Sequence, residues 1–510
     1  MGKQTLGTLC AVMVISLFVT SPHVVLAATP VWTVTSATQA SVTIDPAITV
    51  RPALPRTLYS FNMRFNLFEE ELFDASAWKV KDPITRQLAP MPGVFYRYPG
   101  GILSNHFEWE KAALTRAQRE AQRAAGGSAD VYPYFGPAEY LTWMKQVKGT
   151  AWWSLNLLGR GDVDNPIELP SATMAESNKN LARYLKTNYP AQKQWLYQLG
   201  NELERNRYEW PNAKYVSRSR DSINAIRTVD PNAKFVAFMR EYDWKYKYSS
   251  GTSTAASFFK DVMTGLPMVH DFSLHFYYDG KLSPTSRFFT VPETIDRVQL
   301  ALGFAKSARA GKYNVWITEH SKRLFLEGGT SPNPNTLDTA ISVGDFVLAM
   351  TQVPEVKGAG FQALQGARTT FFPDTLKGTP AFWALRILET QPYGRVLASR
   401  TASPNKSAYP GGYDTRAIGF VDGTGTKLGV QAINRSKQST PLEIKFASFK
   451  GKTKAMKHYY VGGTAGADPA KIDRNYVLVS APTAVNKAFS STGALTVTLP
   501  PSSVSTITFE

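Results

Sequence analysis

The sequence has almost no cysteine and no recognisable cofactor motif. Cys10 is the single cysteine among 510 residues, which excludes an internal disulfide framework and a multi-cysteine metal site. No glycine-rich phosphate loop, zinc-ligand spacing or nicotinamide-binding fingerprint occurs, so we expect no cofactor and no metal. Beyond the N-terminus, no segment reaches the roughly 18 consecutive apolar residues of a membrane span, so we expect no stable membrane insertion.

Acidic residues are scarce relative to basic ones. Aspartate and glutamate number 40 against 57 lysines and arginines, which gives a formal charge of +17. Such a charge suits nucleic acid, a membrane surface or an acidic substrate. No nucleic-acid module and no basic run with interleaved aromatics is present, so we expect no nucleic-acid partner. With 43% hydrophobic residues, the chain can bury a substantial core, which excludes wholesale disorder.

The N-terminus has the organisation of a bacterial export signal. A positively charged start precedes the apolar stretch Leu6–Val19, and small residues at Ala27 and Ala28 offer a cleavage site. We therefore predict a signal peptide over residues 1–28 and a secreted or periplasmic protein. Cys10 lies inside the apolar stretch, where it does not suit lipid attachment. An uncleaved membrane anchor is the alternative, but the stretch is short for a membrane span.

The middle of the chain alternates between strand-like and helix-like segments. Eight short apolar runs, most of them separated by amphipathic stretches, are Thr57–Asn62, Val94–Tyr98, Ala151–Asn156, Trp195–Asn201, Lys234–Met239, Asp271–Phe276, Asn314–Glu319 and Lys357–Ala363. This alternation predicts an α/β fold, a (β/α)8 TIM barrel over residues 56–392. Short strand-like runs between turn residues predict a C-terminal all-β sandwich over 393–510, and strands in 29–55 are expected to pack with it. The oligomeric state is not indicated.

Polar clusters end three of the predicted barrel strands. Asn201 and Glu202 follow the fourth, His275 and Tyr277 the sixth, and Glu319 the seventh. Because the C-terminal strand ends of a barrel meet at one mouth, we expect the two carboxyl groups to face each other. Retaining glycoside hydrolysis requires such a pair. A single glutamate after a strand is most often a solvated loop residue, but the coincidence of these clusters favours a paired-carboxylate site.

The order of motifs is similar to that of a known family. The segments that carry the similarity are RYPGG (Arg97–Gly101) with NHFEW, then FGPAEYLTWMKQVKG, WWSLNLLG, QLGNELE, TVDPNAKFVA, SLHFYYD and ITEHSKR. Together they resemble the clan A retaining (β/α)8 glycoside hydrolases, and most closely the family 51 α-L-arabinofuranosidases, over roughly residues 55–395. The resemblance implies a secreted enzyme that cleaves O-glycosidic bonds of a polysaccharide or oligosaccharide by double displacement.

Roles for individual side chains follow as hypotheses from this resemblance. Glu202 is expected to be the general acid/base and Glu319 the nucleophile. The residues expected to bind substrate or orient the two carboxyl groups are Asn201, His275, Tyr277, Arg97, Asn156 and Asn62. Some aromatic side chains are candidates for sugar-stacking platforms, with core packing as the alternative. They are Trp152, Trp153, Trp210, Trp244 and Phe372.

Departures from the family pattern concern the substrate. Glu319 is followed by His320 where the family usually has tryptophan, and the first strand offers Asn62 and Arg64 in place of a substrate-binding glutamate. Heparanase-like, β-glucuronidase-like and β-xylosidase-like enzymes therefore remain comparisons. Arg97, Lys322 and Arg323, together with the net charge, indicate a preference for anionic glycans. A carbohydrate-binding or matrix protein that kept the scaffold but lost turnover is the alternative.

Overall fold

The computed structural model of the chain describes residues 34–204, 208–240, 254–279, 289–322, 333–366, 369–390 and 394–510. The predicted signal peptide, Trp244 and Arg323 lie outside the described residues. No helix in the described ranges is both long enough and apolar enough to cross a bilayer.

Most strands belong to a closed barrel or to one large sheet. In the first part of the chain they are β1 (Val34–Ser36), β2 (Ala40–Arg51), β3 (Ser60–Asn62), β4 (Phe73–Asp74), β5 (Lys79–Val80), β6 (Phe95–Tyr98), β7 (Thr150–Leu155), β8 (Gly159–Gly161), β9 (Pro166–Glu168), β10 (Leu196–Leu199), β11 (Lys234–Phe238), β12 (Asp271–Tyr278), β13 (Asn314–Lys322) and β14 (Val356–Gln362). The later strands are β15 (Arg395–Ser403), β16 (Thr415–Val421), β17 (Leu428–Asn434), β18 (Thr440–Phe446), β19 (Thr453–Gly462), β20 (Val477–Val479), β21 (Val485–Ala488), β22 (Ala494–Leu499) and β23 (Ser503–Phe509).

The helices lie between the barrel strands and around them. They are α1 (Phe65–Leu72), α2 (Asp82–Leu88), α3 (Trp109–Ala112), α4 (Arg116–Ala124), α5 (Pro137–Val147), α6 (Ser171–Asn188), α7 (Asn212–Arg227), α8 (Ala255–Gly265), α9 (Val291–Ala308), α10 (Leu337–Thr351) and α11 (Pro380–Glu389). Helices α5, α9 and α11 have proline in the first turn. Proline is tolerated there because backbone N–H groups of the first turn make no intrahelical hydrogen bond. At α9, Glu293 also accepts a hydrogen bond from the Thr290 N–H, which satisfies a donor at the helix start.

Eight parallel strands close into a barrel in the order β3-β6-β7-β10-β11-β12-β13-β14. Each coincides with one of the eight apolar runs, so the predicted (β/α)8 barrel is confirmed. The first run differs, since Arg56–Tyr59 forms a 3-10 turn and only Ser60–Asn62 pairs as a strand. Leu58 and Tyr59 are buried in the core without being part of the strand, which explains why the apolar run begins before β3.

A separate aromatic cluster forms one layer of the barrel interior. Phe95, Trp152, Val236 and Trp316 come from β6, β7, β11 and β13 and pack on one another, with the Trp152 ring 4.9 Å from both Phe95 and Trp316. The Trp316 indole N–H donates to Asp271 at 2.8 Å, which satisfies its polar atom. Because side chains two residues apart share a face of a strand, Arg97 of β6 and Thr318 of β13 lie in the next layer towards the barrel mouth.

The C-terminal region is an eleven-stranded, mainly antiparallel sheet with a hydrophobic core of its own. Strand β2 lies within this sheet, antiparallel to β15 and parallel to β18. Val42 and Ile44 of β2 pack in the same core as Leu442 of β18 and Ile507 of β23. Strands from distant positions of the sheet therefore share one core, and the predicted all-β sandwich is confirmed.

Charged side chains are buried between the barrel and the sandwich. Asp345 of α10 accepts hydrogen bonds from Arg416 Nε at 2.6 Å and from Arg435 Nη2 at 2.7 Å. Arg435 also donates at 3.1 Å to Asp279, which directly follows β12 and accepts from Tyr409 at 2.6 Å. Sandwich residues thus hold the end of the barrel strand that carries His275 and Tyr277.

Candidate active site

Glu202 and Glu319 meet at the C-terminal ends of β10 and β13. One carboxylate oxygen of each, together with one ring nitrogen of His275, lie within 4.8 Å of one another. Glu202 adopts a left-handed backbone conformation with φ of 50°, which is uncommon for a residue with a side chain and occurs in strained functional turns. Gly200 precedes it with φ of 71°, so the turn after β10 depends on a residue without a Cβ.

Arg97 of β6 lies beneath the two carboxylates and connects four side chains. Its guanidinium donates to Glu319 at 2.9 Å, to Asn62 at 2.8 Å, to Gln198 at 2.9 Å and to Asn201 at 2.5 Å. The Arg97 side chain is fully buried. Burial lowers the pKa of the guanidinium from its usual value, and the Glu319 carboxylate opposes that shift. Arg97 thus places a fixed positive charge beside Glu319.

His275 and Tyr277 of β12 contact the two carboxylates. Tyr277 donates to Glu319 at 2.8 Å, and His275 Nδ1 lies 2.7 Å from Glu202 and 3.7 Å from Glu319. The other ring nitrogen of His275 lies 3.0 Å from the Thr318 hydroxyl. The register between β12 and β13 shifts here, since Leu274 pairs with Ile317 but His275 pairs with Glu319. This irregularity leaves Thr318 beside the ring and aims Glu319 at the mouth.

The RYPGG segment brings a loop against the carboxylate-bearing strands. A Cβ on Gly100, whose φ is 72°, would lie 1.6 Å from the Met63 carbonyl oxygen and 2.8 Å from Asn62 Oδ1. Only glycine allows the loop to approach β3 this closely. Further along the same loop, the Asn105 side chain donates to the Asn201 carbonyl at 2.7 Å and accepts from its N–H at 3.0 Å. This pair of bonds fixes the backbone immediately before Glu202.

The two carboxylates differ in their surroundings. The Glu319 side chain is 7% exposed and is held by Arg97 and Tyr277, whereas the Glu202 side chain is 22% exposed and faces His275. Charge-assisted hydrogen bonds from an arginine and a tyrosine hydroxyl hold a carboxylate in one position. A more accessible carboxyl next to an imidazole can exchange a proton with a bound molecule. The pair is therefore suited to two different chemical roles.

Two of the predicted substrate-binding residues lie beside the site without an atom available for a ligand. Asn62 is fully buried, with its side chain bonded to Arg97 and Gln362. The Asn156 side chain accepts from the N–H groups of residues 158 and 159 and donates to the carbonyl of Phe107. Their contacts support Arg97 and a loop turn respectively. Asn201, His275, Tyr277 and Arg97 are brought together around the two carboxylates.

The expected aromatic platforms are core residues. Trp152, Trp153, Trp210 and Phe372 are all buried, with at most 6% of any of them exposed. These four rings therefore offer no face to a sugar, and their apolar area is used in packing.

Sequence reasoning missed three residues that complete the site. Gln198 accepts from Arg97 and donates to the Gly200 carbonyl at 3.0 Å. Asn105 holds the Asn201 backbone, and Thr318 contacts His275. Gln198 and Thr318 are polar residues on otherwise apolar barrel strands. A polar residue within an apolar run is the sequence pattern from which their role in the site could have been predicted. Asn105 lies in the 3-10 turn Ile102–His106 and begins the NHFEW segment, whose similarity to the family was the only available signal.

The same groups have the ligand chemistry of a divalent metal site. Two carboxylates and an imidazole present donor atoms within 4.8 Å of one another. Glu319, however, already neutralises the buried Arg97 cation at 2.9 Å. A second cation at this position would be repelled by the guanidinium. The arrangement therefore fits proton transfer and nucleophilic attack better than metal binding.

Solved structures with a similar fold include several arabinofuranosidases. The α-L-arabinofuranosidase of Thermotoga petrophila RKU-1, from family GH51, aligns with a TM-score of 0.69 at 16% identity, covering 92% of this chain and 100% of that one. The family 51 α-L-arabinofuranosidase of Bifidobacterium longum aligns with a TM-score of 0.68 at 16% identity, covering 93% and 100%. The fold is that of known glycoside hydrolases.

A second glycoside hydrolase family has a related architecture. The family 44 xyloglucanase of Paenibacillus polymyxa aligns with a TM-score of 0.58 at 12% identity, covering 93% of this chain and 100% of that one. No protein-family model matches the sequence, and neither does any curated protein sequence. The resemblance to family 51 that the motifs carry is thus confirmed at the level of the fold.

Proposed function

We propose that the chain is a retaining glycoside hydrolase that cleaves O-glycosidic bonds by double displacement. The observation that carries this proposal is the separation of the two glutamates, whose nearest paired oxygens lie within 4.8 Å. Retaining enzymes hold their carboxyl groups about 5–5.5 Å apart, whereas inverting enzymes need roughly 6.5–9.5 Å to admit a water molecule. The short separation favours direct attack by one carboxylate.

The two glutamates divide the reaction between them. In the first step a Glu319 oxygen attacks the anomeric carbon, the glycosidic C–O bond breaks, and Glu202 gives its proton to the departing oxygen. In the second step Glu202 takes a proton from water, the water oxygen attacks the same carbon, and the bond to Glu319 breaks. The contacts of Glu319 with Arg97 and Tyr277 support its role as the ionised nucleophile. The accessibility of Glu202 beside His275 supports proton exchange.

The substrate we propose is a polysaccharide or oligosaccharide with arabinofuranoside-like linkages. Support comes from the similar fold of the α-L-arabinofuranosidases. Asn201 is placed to approach a sugar hydroxyl, because its side chain lies on Arg97 directly before Glu202. Hydrogen bonds to the sugar 2-hydroxyl strengthen in the transition state of these reactions.

A preference for anionic glycans is a further part of the proposal. It rests on the net charge of +17, which attracts polyanions over long range. Lys322 contributes less than its sequence position indicated, because it is paired with Asp338, and Arg97 is paired with Glu319. Faster hydrolysis of an acidic polysaccharide that is strongly inhibited by salt is expected; equal rates on neutral arabinan would contradict the preference.

Export from the cell is proposed on the N-terminal sequence. The charged start, the apolar stretch and the small residues at Ala27 and Ala28 support a cleaved signal. Mass spectrometry of protein recovered from the periplasm or the medium of a bacterial host is expected to show a chain that starts near Ala28. Recovery of the full chain from the membrane fraction would favour an uncleaved anchor.

The test of activity is incubation with plant, algal and bacterial polysaccharides, followed by mass spectrometry of the products. Wild-type protein is expected to release sugars from at least one of them, whereas Glu202→Gln and Glu319→Gln each lose activity by orders of magnitude. Glu209→Gln serves as the control, because the same chemical change there affects an exposed side chain. Binding without hydrolysis across the panel would favour the non-catalytic alternative.

A further inference from the structure

The sandwich contains a cleft that the proposed reaction does not use. Its volume is about 890 Å³, within the range of roughly 300–1,000 Å³ typical of ligand pockets. Its walls come from three loops, at residues 38–39 before β2, 404–414 between β15 and β16, and 435–439 between β17 and β18, and from residues of strands β2, β18 and β22. The cleft is thus formed by chain segments that the sandwich fold brings together.

Most side chains that line this cleft are polar, although carbon atoms contribute about as much of its surface as polar atoms do. Hydroxyl and amide side chains in the lining are Thr38, Gln39, Ser407, Ser436, Gln438, Ser439, Thr440 and Thr496. Side chains of these types both donate and accept hydrogen bonds, as the hydroxyl groups of a sugar do. A polyhydroxylated chain can exchange its bonds to water for bonds to these walls, while its ring carbons contact the apolar part of the lining.

Lysine side chains supply most of the exposed charge in the cleft. Lys406 and Lys437 are exposed in the lining. Of the two acidic residues there, Asp414 is buried and accepts from the N–H groups of Lys406 and Ser407, whereas Glu443 is only partly buried. The contacts of Glu443 with Lys445 at 3.0 Å and of Lys437 with Asp468 at 3.6 Å join side chains that are about half exposed, so both pairs are weak. Two exposed lysines against one partly buried glutamate favour an anionic ligand.

The loops of the cleft also contact the barrel next to the proposed active site. Arg435 lines the cleft and donates to Asp279, and Tyr409 from the 404–414 loop donates to the same carboxylate. Asp279 follows Tyr277 by two residues, and Tyr277 contacts Glu319. The cleft is thus located beside the C-terminal end of β12, on the side of the barrel where the two glutamates lie.

We propose that this cleft is a second glycan-binding site, which holds a negatively charged stretch of a polysaccharide. This inference rests on the proposed function in one respect: the bound stretch belongs to the same polysaccharide molecule that reaches the catalytic glutamates. Lys406 and Lys437 contact its carboxylate or sulfate groups, and the hydroxyl and amide side chains contact its hydroxyl groups. The site accounts for a preference for acidic glycans that the paired Arg97 and Lys322 do not supply.

The test measures binding to a protein that cannot cleave its ligand. Isothermal titration of Glu319→Gln with oligogalacturonate, oligoalginate and a sulfated heparin fragment is expected to detect binding of at least one probe. Adding Lys406→Gln and Lys437→Gln is expected to weaken that binding by at least about tenfold, since two charge contacts are lost. The matched control is Lys450→Gln with Lys452→Gln, which removes the same charge from exposed lysines of the sandwich outside the cleft.

The outcomes separate this site from the proposed catalysis. With Glu319 intact, the Lys406→Gln and Lys437→Gln protein is expected to hydrolyse short oligosaccharides as the wild type does. Equal loss of binding in the control pair, or failure of all three probes to bind, would overturn the cleft site. Lysine-dependent binding by a wild-type protein that hydrolyses no glycan would support the cleft and overturn the proposed catalysis.

Discussion

Arg97 donates a hydrogen bond of 2.9 Å to Glu319, and both side chains are removed from solvent at the mouth of the barrel. A buried charge is tolerated only where it is paired and hydrogen-bonded. The bonds from Arg97 to Gln198, Asn62 and Asn201 satisfy the guanidinium while it holds the carboxylate. Arg97 therefore contributes to the stability of the barrel and also holds Glu319, the proposed nucleophile, in position.

Replacing Arg97 is expected to damage stability and activity together. Arg97→Met leaves Glu319 buried without its cation, which costs about 3–5 kcal/mol when a buried pair is broken. Arg97→Lys keeps the charge but cannot form the same set of four contacts, so we expect intermediate stability and low activity. Urea unfolding and turnover measurements test both variants. An Arg97→Met protein as stable as the wild type would show that the pair is not structurally required.

Removal of the Tyr277 hydroxyl is expected to slow the reaction without unfolding the protein. Tyr277→Phe loses the 2.8 Å bond to Glu319, and a hydrogen bond to a charged group contributes about 1.5–3 kcal/mol, or roughly 10–100-fold in rate. Tyr278→Phe is the matched control, because that neighbouring hydroxyl contacts His320 instead. Similar kcat/KM values for the two variants would show that the Tyr277 contact does not serve catalysis.

Gly100 is expected to be intolerant of any side chain. A Cβ there would meet the Met63 carbonyl at 1.6 Å and displace Asn62, which supports Arg97. Gly466→Ala is a control with a similar φ of 79° but no atom within 4 Å of the new Cβ. We expect Gly100→Ala to lose activity and most of its stability, and Gly466→Ala to lose only about 1 kcal/mol from backbone strain. Equal thermal stability of the two variants would contradict the close approach of the loop.

His320 is expected to make the protein sensitive to acid. Burial lowers its pKa from 6.5 to about 3, so between these values the unfolded chain binds a proton that the folded chain does not. Its contribution to the free energy of unfolding is therefore complete above pH 6.5 and is lost as the pH falls towards 3.

A variant without this titration isolates the effect. Between pH 6.5 and 4.5, wild-type stability is expected to fall by about 2 kcal/mol more than that of His320→Gln. Denaturant unfolding at several pH values provides the measurement, and the buried His458 remains in both proteins and cancels. Parallel pH profiles would show that His320 does not remain neutral in the folded state.

Local patterns predicted the barrel and the carboxylate pair because each strand, and the polar residue at its end, is marked by its own neighbours in the chain. Apolar runs marked the eight strands, and polar residues at their ends marked Glu202 and Glu319. Contacts between distant segments were not readable in this way. The pairing of Lys322 with Asp338, which changed the expected charge near the site, is set by the packing of α10.

The same limit applies to residues whose role depends on the folded context. Asn156 follows a barrel strand as Glu202 does, but the loop after it turns so that backbone groups occupy its side chain. Asn105 belongs to no strand or α-helix pattern, because it lies in the 3-10 turn Ile102–His106 that follows the close approach of Gly100 to the barrel. Residues 40–51 were recognisable as strand, but their position between β15 and β18 depends on pairing with strands some 350 or more residues away.

The central claim is that Glu319 forms a covalent bond to the sugar. Once a substrate has been found, the matching activated 2-fluoro glycoside is expected to inactivate the enzyme, because the fluorine slows release of the glycosyl intermediate more than its formation. Peptide mapping by mass spectrometry is then expected to show one sugar attached at Glu319. Attachment at Glu202 or any other residue, or inactivation without a covalent label, would contradict the account.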